Sequence, residues 1–172
     1  LPDSLEEIEN MALQLWMVDT LNIPASVTDI SPSGIVCAGL TELTIDSENT
    51  VYIEKNGILY TKDMTELTVY PAKHPNTSFT VPDTVKVIPN SLLQQAENLE
   101  TLTIHADVTE IVDTKFYSLG SSRMKMVEVD ENNPEFCDVN GVLYTKDMTT
   151  LMFYPPCKED IVYLMPDTVT DM

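Results

Sequence analysis

A stretch of 16 residues occurs twice in this chain of 172 residues, and the duplication constrains the fold more than any other feature. NGILYTKDMTELTVYP begins at Asn56 and returns as NGVLYTKDMTTLMFYP at Asn140, 84 residues later, with 12 of the 16 positions identical. The same offset relates VPDTV at Val81 to MPDTV at Met165. Such self-similarity is typical of repeat proteins, in which neighbouring units stack and bury a shared core.

A shorter phrase returns inside the 84-residue unit, with an apolar residue before proline and the pattern Val-x-x-Ile after it. Copies begin at Leu1, Ile23, Val81 and Met165. The spacing is 22 residues from Leu1 to Ile23 and 23 residues from Val81 to Ile104. Both values fall within the roughly 20–29 residues of leucine-rich repeats.

Each short unit ends in a phrase of apolar, polar and apolar residues, at 21–23, 43–45, 102–104 and 127–129. Because side chains on a strand alternate between two faces, each phrase predicts a short strand with its apolar residues inside. Stacked units would join these strands into a parallel sheet. The stretches 10–17 and 90–96 have helical character and are predicted to form single helical turns on the opposite wall.

The 16-residue segment predicts a β-hairpin added to a repeat. Asn56-Gly57 and Asn140-Gly141 are turn signals that precede an alternating apolar run. The residues at 62–64 then reverse the chain. The hairpin explains why this unit is longer than its neighbours.

These residues carry a family resemblance. IPASVTDISPSGIVCAGLTELTI resembles the BspA-type leucine-rich repeat of bacterial surface proteins, and NGVLYTKDMTTLMFYP followed by MPDTVTDM is similar to the longer unit that alternates with it. The resemblance covers essentially the whole chain. It implies a leucine-rich repeat solenoid with short parallel β-strands in each repeat, short helical turns on the opposite wall and two inserted β-hairpins.

We expect one leucine-rich repeat domain over residues 1–172. Its approximate repeats are 1–22, 23–45, 46–80 with a hairpin, 81–104, 105–129, 130–164 with a hairpin and a truncated 165–172. The chain is expected to be a fragment of a longer protein whose signal peptide and anchor lie elsewhere.

The charge balance excludes several functions. There are 28 Asp and Glu residues against nine Lys and Arg, a formal net charge of −19. Phosphate contacts need Lys or Arg, so neither nucleic-acid binding nor docking on an anionic membrane is expected as the main function. No apolar run approaches the roughly 20 residues of a membrane-spanning helix.

Few residues suggest chemistry. His74 and His105 occupy non-equivalent repeat positions, which favours two surface histidines beside turns over a metal site. Cys37 matches the repeat cysteine of the resembled family, which favours a small buried core residue over a nucleophile. Cys137 and Cys157 flank the second hairpin, and two interpretations stay open for them: a disulfide or two free thiols.

The acidic stretch 130–133 lacks the spacing of a calcium loop, and its counterpart at 46–49 is less acidic. Asp and Asn side chains cap turns well, so turn chemistry is favoured over weak calcium binding. No cofactor is expected.

The outward residues of the stacked strands are predicted to form one broad face. This candidate partner-binding face consists of Thr20, Asn22, Glu42, Thr44, Thr101, Thr103, Met126 and Glu128. It is rich in threonine and acidic, which suits a basic or polar patch on a protein partner. The alternative is a face that is merely solvated.

The sequence therefore favours a non-catalytic protein-binding module, and the resemblance implies an adhesion-type role in a secreted or cell-surface bacterial protein. The resemblance implies a partner among host extracellular matrix proteins or bacterial surface proteins. A structural spacer that presents another domain is the alternative. A hydrolytic enzyme is the least favoured interpretation, because no motif combines a nucleophile, a base and an oxyanion donor.

Overall fold

The computed structural model describes residues 1–14, 17–36, 38–112, 122–160 and 162–172. Short strands dominate these residues, and most of them stack in parallel as rungs of a solenoid. The strands of the first half are β1 (Glu7–Ile8), β2 (Leu13–Gln14), β3 (Thr20–Ile23), β4 (Asp29–Ile30), β5 (Ile35–Val36), β6 (Glu42–Ile45), β7 (Tyr52–Lys55), β8 (Ile58–Thr61) and β9 (Leu67–Val69).

The second half repeats much of this order. Its elements are β10 (Ser78–Thr80), β11 (Val87–Pro89), α1 (Ser91–Gln95), β12 (Thr101–Ile104), β13 (Glu110–Val112), β14 (Met126–Val129), β15 (Phe136–Val139), β16 (Val142–Thr145) and β17 (Leu151–Phe153).

Three sets of parallel pairs form the walls of the solenoid. The front wall contains β3 paired with β6, and separately β10, β12 and β14 in that order. A second wall pairs β1 with β4 and β11 with β13, and a third pairs β2 with β5. The predicted solenoid of parallel strands is therefore confirmed.

The front strands bury alternate residues, as the apolar phrases predict. In β3 the burial pattern alternates, with Leu21 and Ile23 inside. The parallel register places Leu21 beside Leu43 and Ile23 beside Ile45, so like residues stack from rung to rung. This stacking lets strands of three or four residues share one continuous core.

Both predicted hairpins are present, and each is part of a larger insert of three antiparallel strands. The first insert is β7, β8 and β9, and the second is β15, β16 and β17. The turn from β7 to β8 has positive φ at both central residues, 54° at Asn56 and 79° at Gly57. Asn-Gly suits this two-residue turn because it tolerates the left-handed region and its twist matches the flanking strands.

The central strand of the first insert is buried on both faces, and it separates two hydrophobic clusters. Leu59 packs into the cluster that contains Leu21 and Leu43. Its neighbours Ile58 and Tyr60 pack into the other cluster. Burial raises the pKa of the Tyr60 hydroxyl to about 12. The insert is thus a partition inside the solenoid.

The helical predictions were half right. α1 lies within the predicted stretch 90–96. The prediction for 10–17 is wrong in its described part, because Leu13 and Gln14 form β2 and pair with β5. Residues 15–16 lie outside the described residues. So short a helix is marginal by itself, and backbone pairing with the neighbouring rung outweighs the helix propensity of Met, Ala and Leu.

Within the described ranges, no helix is both long enough and apolar enough to cross a lipid bilayer.

Candidate interaction face

The first part of the predicted face is a small ladder on β3 and β6, which we call the N-terminal ladder: Thr20, Asn22, Glu42 and Thr44. All four side chains are exposed. Thr20 lies beside Glu42, and Asn22 lies beside Thr44. The Thr44 hydroxyl donates a hydrogen bond to the Asn22 side-chain oxygen at 3.0 Å.

The second part is a ladder of three strands, which we call the C-terminal ladder: Ser78, Thr80, Thr101, Thr103, Met126 and Glu128. The register joins Ser78, Thr101 and Met126 in one row and Thr80, Thr103 and Glu128 in the next. Sequence analysis missed Ser78 and Thr80, although Phe79-Thr80-Val81 is an apolar-polar-apolar phrase of the kind that identified the other strands.

Polar side chains across this ladder are connected. The Thr103 hydroxyl donates to a Glu128 carboxylate oxygen at 3.2 Å. Just before the strands, Lys125 and Glu100 form an exposed ion pair with 2.9 Å between the Lys125 Nζ and the Glu100 Oε2. The Glu100 carboxylate raises the pKa of Lys125. The ladder therefore offers hydroxyl groups in both rows and one carboxylate acceptor, that of Glu128, in the second row.

The two ladders are not one broad face, which corrects the sequence prediction. The turn at the tip of the first insert lies against the outer edge of β6, where the Leu43 N–H donates to the Gly57 carbonyl oxygen at 2.9 Å. The His74 Nε2–H donates to the Asn56 carbonyl oxygen at 2.7 Å. Because His74 precedes β10, the turn is held from both sides, between β6 and the segment that leads to β10.

Glycine is favoured at this turn for a second reason besides its φ. A Cβ on Gly57 would lie 3.1 Å from the Cβ of Glu42. The second insert repeats the contact, because the Val127 N–H donates to the Gly141 carbonyl oxygen at 2.9 Å and a Cβ on Gly141 would lie 2.9 Å from the Met126 Cβ. Each turn thus covers the outer edge of one ladder.

The interpretation of His74 as a surface residue is wrong. Its side chain is 5% exposed, and its ring packs against Tyr70 with 5.2 Å between centroids. With Nε2 donating to Asn56, Nδ1 is left to accept from the Asn76 N–H at 3.4 Å. His105 is half-buried and its Nε2–H donates to the Pro82 carbonyl oxygen at 2.7 Å. Both imidazoles hold backbone in place.

The acidic stretches form turns, as predicted. Asp46 accepts a hydrogen bond from the Glu48 N–H at 2.9 Å. Asp130 accepts from the backbone and side-chain amides of Asn132, which lowers the pKa of the Asp130 carboxyl. Among the residues that the structure describes, no group of three or more His, Cys, Asp or Glu side chains could hold a metal ion.

The two described cysteines are free thiols. The Cys137 Sγ lies 3.4 Å from the Thr145 carbonyl oxygen, and the Cys157 Sγ lies 3.9 Å from the Ser122 carbonyl oxygen. Burial raises the pKa of the Cys137 thiol, which disfavours its thiolate. The interpretation of Cys37 as a core residue falls on a position outside the described residues.

A half-open groove of about 500 Å³ lies beside the second insert. Its lining combines apolar side chains, including Val142 and Leu164, with the hydroxyl groups of Tyr144 and Tyr163, which are hydrogen-bonded to each other. Lys158 and Asp160 also line it, with 3.3 Å between the Lys158 Nζ and the Asp160 Oδ2.

Comparison with known proteins identifies the class of protein that this solenoid represents. A family model of the BspA-type leucine-rich repeat region matches residues 1–74 and 70–137, with six copies. The chain belongs to this family.

Three solved structures resemble the chain, and each match covers 75% of it. They are the pneumococcal vaccine antigen PcpA (21% identity, TM-score 0.66), a leucine-rich repeat protein from Eubacterium ventriosum (24%, 0.59) and a leucine-rich cell surface protein from Faecalibacterium prausnitzii (22%, 0.61). The matches cover 32%, 41% and 34% of those chains, respectively. At these identities the likeness shows the fold. No curated protein sequence matches the chain.

Proposed function

We propose that this chain is a non-catalytic protein-interaction module of a secreted or cell-surface bacterial protein, and that it binds its partner through the C-terminal ladder. The observation that carries the proposal is the register of that ladder. Three adjacent strands present their outward residues in two rows. The turn of the second insert covers only the outer edge of β14, through the contact of Gly141 with Val127. Repeat solenoids commonly bind partners on such surfaces.

The chemistry of the ladder suggests a basic or polar patch as its partner. Thr101 and Thr103 supply hydroxyl groups, and Glu128 supplies an exposed carboxylate at the far end of the row. With a net charge of −19, the chain would attract a basic surface over a distance and would bind it less well at high salt. The Faecalibacterium protein of similar fold is a cell surface protein, which supports the proposed location.

The N-terminal ladder supports the same proposal in a smaller role. Glu42 and Thr44 are exposed on β6, but the turn at Gly57 separates them from the C-terminal ladder. A partner broad enough to cross that turn would contact both ladders. Host extracellular matrix proteins and bacterial surface proteins are the partner classes to test.

The test is binding of the folded chain to a panel of such proteins at low and high salt. For a partner found in this way, we expect the triple variant Thr101→Ala, Thr103→Ala, Glu128→Gln to weaken binding at least about tenfold, the effect of losing interactions worth about 1.4 kcal/mol. The matched control is Glu110→Gln, which makes the same change of charge on the second wall.

Binding that falls with salt, is lost in the ladder variant and is kept in the Glu110→Gln control supports the proposal. A ladder variant with unchanged affinity would contradict the assigned face. The absence of binding across the whole panel would instead favour the structural spacer.

A further inference from the structure

The two insert turns contain the same Asn-Gly pair, so the rate of asparagine deamidation can be compared between them within one chain. Asn56-Gly57 and Asn140-Gly141 have nearly the same backbone, with φ of 54° and 79° in the first turn and 52° and 79° in the second. Both asparagine side chains are exposed. A glycine that follows asparagine leaves its backbone nitrogen open to approach the asparagine side-chain carbonyl carbon, which makes this pair the most reactive setting for deamidation.

The glycine nitrogen is held more tightly in the first turn. The Gly57 N–H donates to the Glu54 carboxylate at 2.5 Å, whereas the Gly141 N–H donates to the Asp138 carboxylate at 3.3 Å. The other Asp138 oxygen accepts from the Val129 N–H at 2.9 Å. Since the reacting nitrogen must lose this proton, the longer contact protects Gly141 less.

The backbone carbonyl group of the asparagine is also held differently in the two turns. In the first turn, the buried imidazole of His74 donates to the Asn56 carbonyl oxygen at 2.7 Å. The equivalent position in the second unit is Lys158, whose ammonium group lies 3.3 Å from Asp160. The second turn also borders the groove of about 500 Å³, which Asn140 itself lines.

We propose that Asn140 is a site of spontaneous deamidation and that the structure protects Asn56 from the same reaction. When the second turn opens, the Gly141 nitrogen loses its proton and bonds to the Asn140 Cγ. The Cγ–Nδ2 bond breaks, and the side-chain nitrogen leaves as ammonia after taking up a proton. Water then opens the resulting imide ring at either carbonyl, which yields aspartate or isoaspartate without any oxidant or reductant.

The reaction would change the edge of the C-terminal ladder. An isoaspartyl link adds one methylene group to the main chain of a two-residue turn that fits closely against Met126. The hydrogen bond from the Val127 N–H to the Gly141 carbonyl oxygen depends on that fit. Conversion therefore adds a negative charge at the turn beside Met126 and exposes the Val127 amide.

The test is incubation of the folded chain in mildly alkaline buffer, with conversion at each asparagine followed by peptide mapping and mass spectrometry that separates aspartate from isoaspartate. Fragment ions distinguish Asn140 from Asn132 and Asn133. We expect Asn140 to convert at least about fivefold faster than Asn56, the effect of one additional hydrogen bond. In urea, where both turns are unfolded, the two rates should converge.

The variant His74→Gln should raise the rate at Asn56 towards that at Asn140. The control His105→Gln removes an imidazole that is bonded to Pro82 and should leave both rates unchanged. Equal rates at the two sites in the folded wild-type chain, or conversion at Asn56 alone, would overturn the proposal. This comparison needs no variant, so it decides the question even if His74→Gln fails to fold.

Discussion

One buried asparagine fixes the start of each insert, Asn49 in the first and Asn133 in the second. Asn49 is 1% exposed and Asn133 is 0% exposed, and each uses its full hydrogen-bonding capacity. The Asn133 amide donates to the carbonyl oxygens of His105 and Val108 at 2.8 Å, and its oxygen accepts from the N–H groups of Glu135 and Phe136 at 2.9 and 2.8 Å. Each asparagine therefore joins the preceding short repeat to the insert.

Replacing Asn133 with alanine should lower the free energy of unfolding by about 3 kcal/mol, because it leaves several buried backbone groups without partners. Urea unfolding measures the change. The control is Asn132→Ala, since Asn132 is exposed and its side chain bonds only to Asp130 among the hydrogen bonds described. Equal, small losses in both variants would contradict the role of Asn133.

Thr68 is a residue whose polar group is poorly placed. Its side chain is 7% exposed, and among the described residues its hydroxyl has no hydrogen-bond partner. The equivalent position in the second insert is Met152, which is exposed, so the strand itself accepts an apolar side chain at this position.

The variant Thr68→Val should raise the free energy of unfolding by about 1 kcal/mol, because it removes a buried hydroxyl and keeps its shape. Thr61→Val is the control with the opposite sign, since the Thr61 hydroxyl donates to Asp63 at 2.8 Å and accepts from the Glu66 N–H at 3.0 Å. Thermal unfolding compares the two. A loss of stability in Thr68→Val would show that the hydroxyl has a partner.

At the scale of elements, the second wall concentrates negative charge. Glu66 precedes β9 and bridges to Val87, which lies beside Glu110. Burial raises the pKa of the Glu66 carboxyl above its ordinary value of 4.5, and the charges of Glu110 and Asp63 raise it further. The folded state therefore disfavours the ionised form of Glu66.

Stability should accordingly fall as the pH rises from 4.5 through the raised pKa of Glu66, since the unfolded chain releases this proton more easily. The variant Glu66→Gln should be more stable than the wild type at neutral pH, and the difference should vanish below pH 4.5. Urea midpoints measured across this pH range test the sign. A constant difference at all pH values would contradict it.

Elements with a local signal were predictable. The front strands follow from alternating phrases, and both insert turns follow from Asn-Gly. The strand β7 was missed because only its first residue, Tyr52, is buried, so the sequence shows no clean alternation. The helix prediction failed at Leu13 because pairing with the neighbouring rung is a tertiary effect.

The use of the predicted face for binding stays a prediction, and its division by the insert turn was not predictable. Thr20 and Thr101 point outwards because of strand alternation, which the sequence displays. The separation depends on Gly57 reaching Leu43, 14 positions away, and on the buried contact of His74 with Asn56. No local pattern encodes such contacts.

At the scale of the molecule, the inserts divide a solenoid that would otherwise have one core and one face. The first insert sends Leu59 into one hydrophobic cluster and Ile58 into the other, while its turn separates the two ladders in front. The repeat boundaries stay a prediction, and so does the function of the chain. The matched region is only 32% of PcpA and 41% of the Eubacterium protein.

The most direct test of this partition is hydrogen exchange in the adjacent pair of variants Leu59→Ala and Ile58→Ala. Each truncation should cost about 2–5 kcal/mol. Leu59→Ala should speed amide exchange chiefly in β3 and β6, and Ile58→Ala chiefly in β10 and β12. If both variants speed exchange equally in both sheets, the chain has a single core and the account of the insert as a partition is wrong.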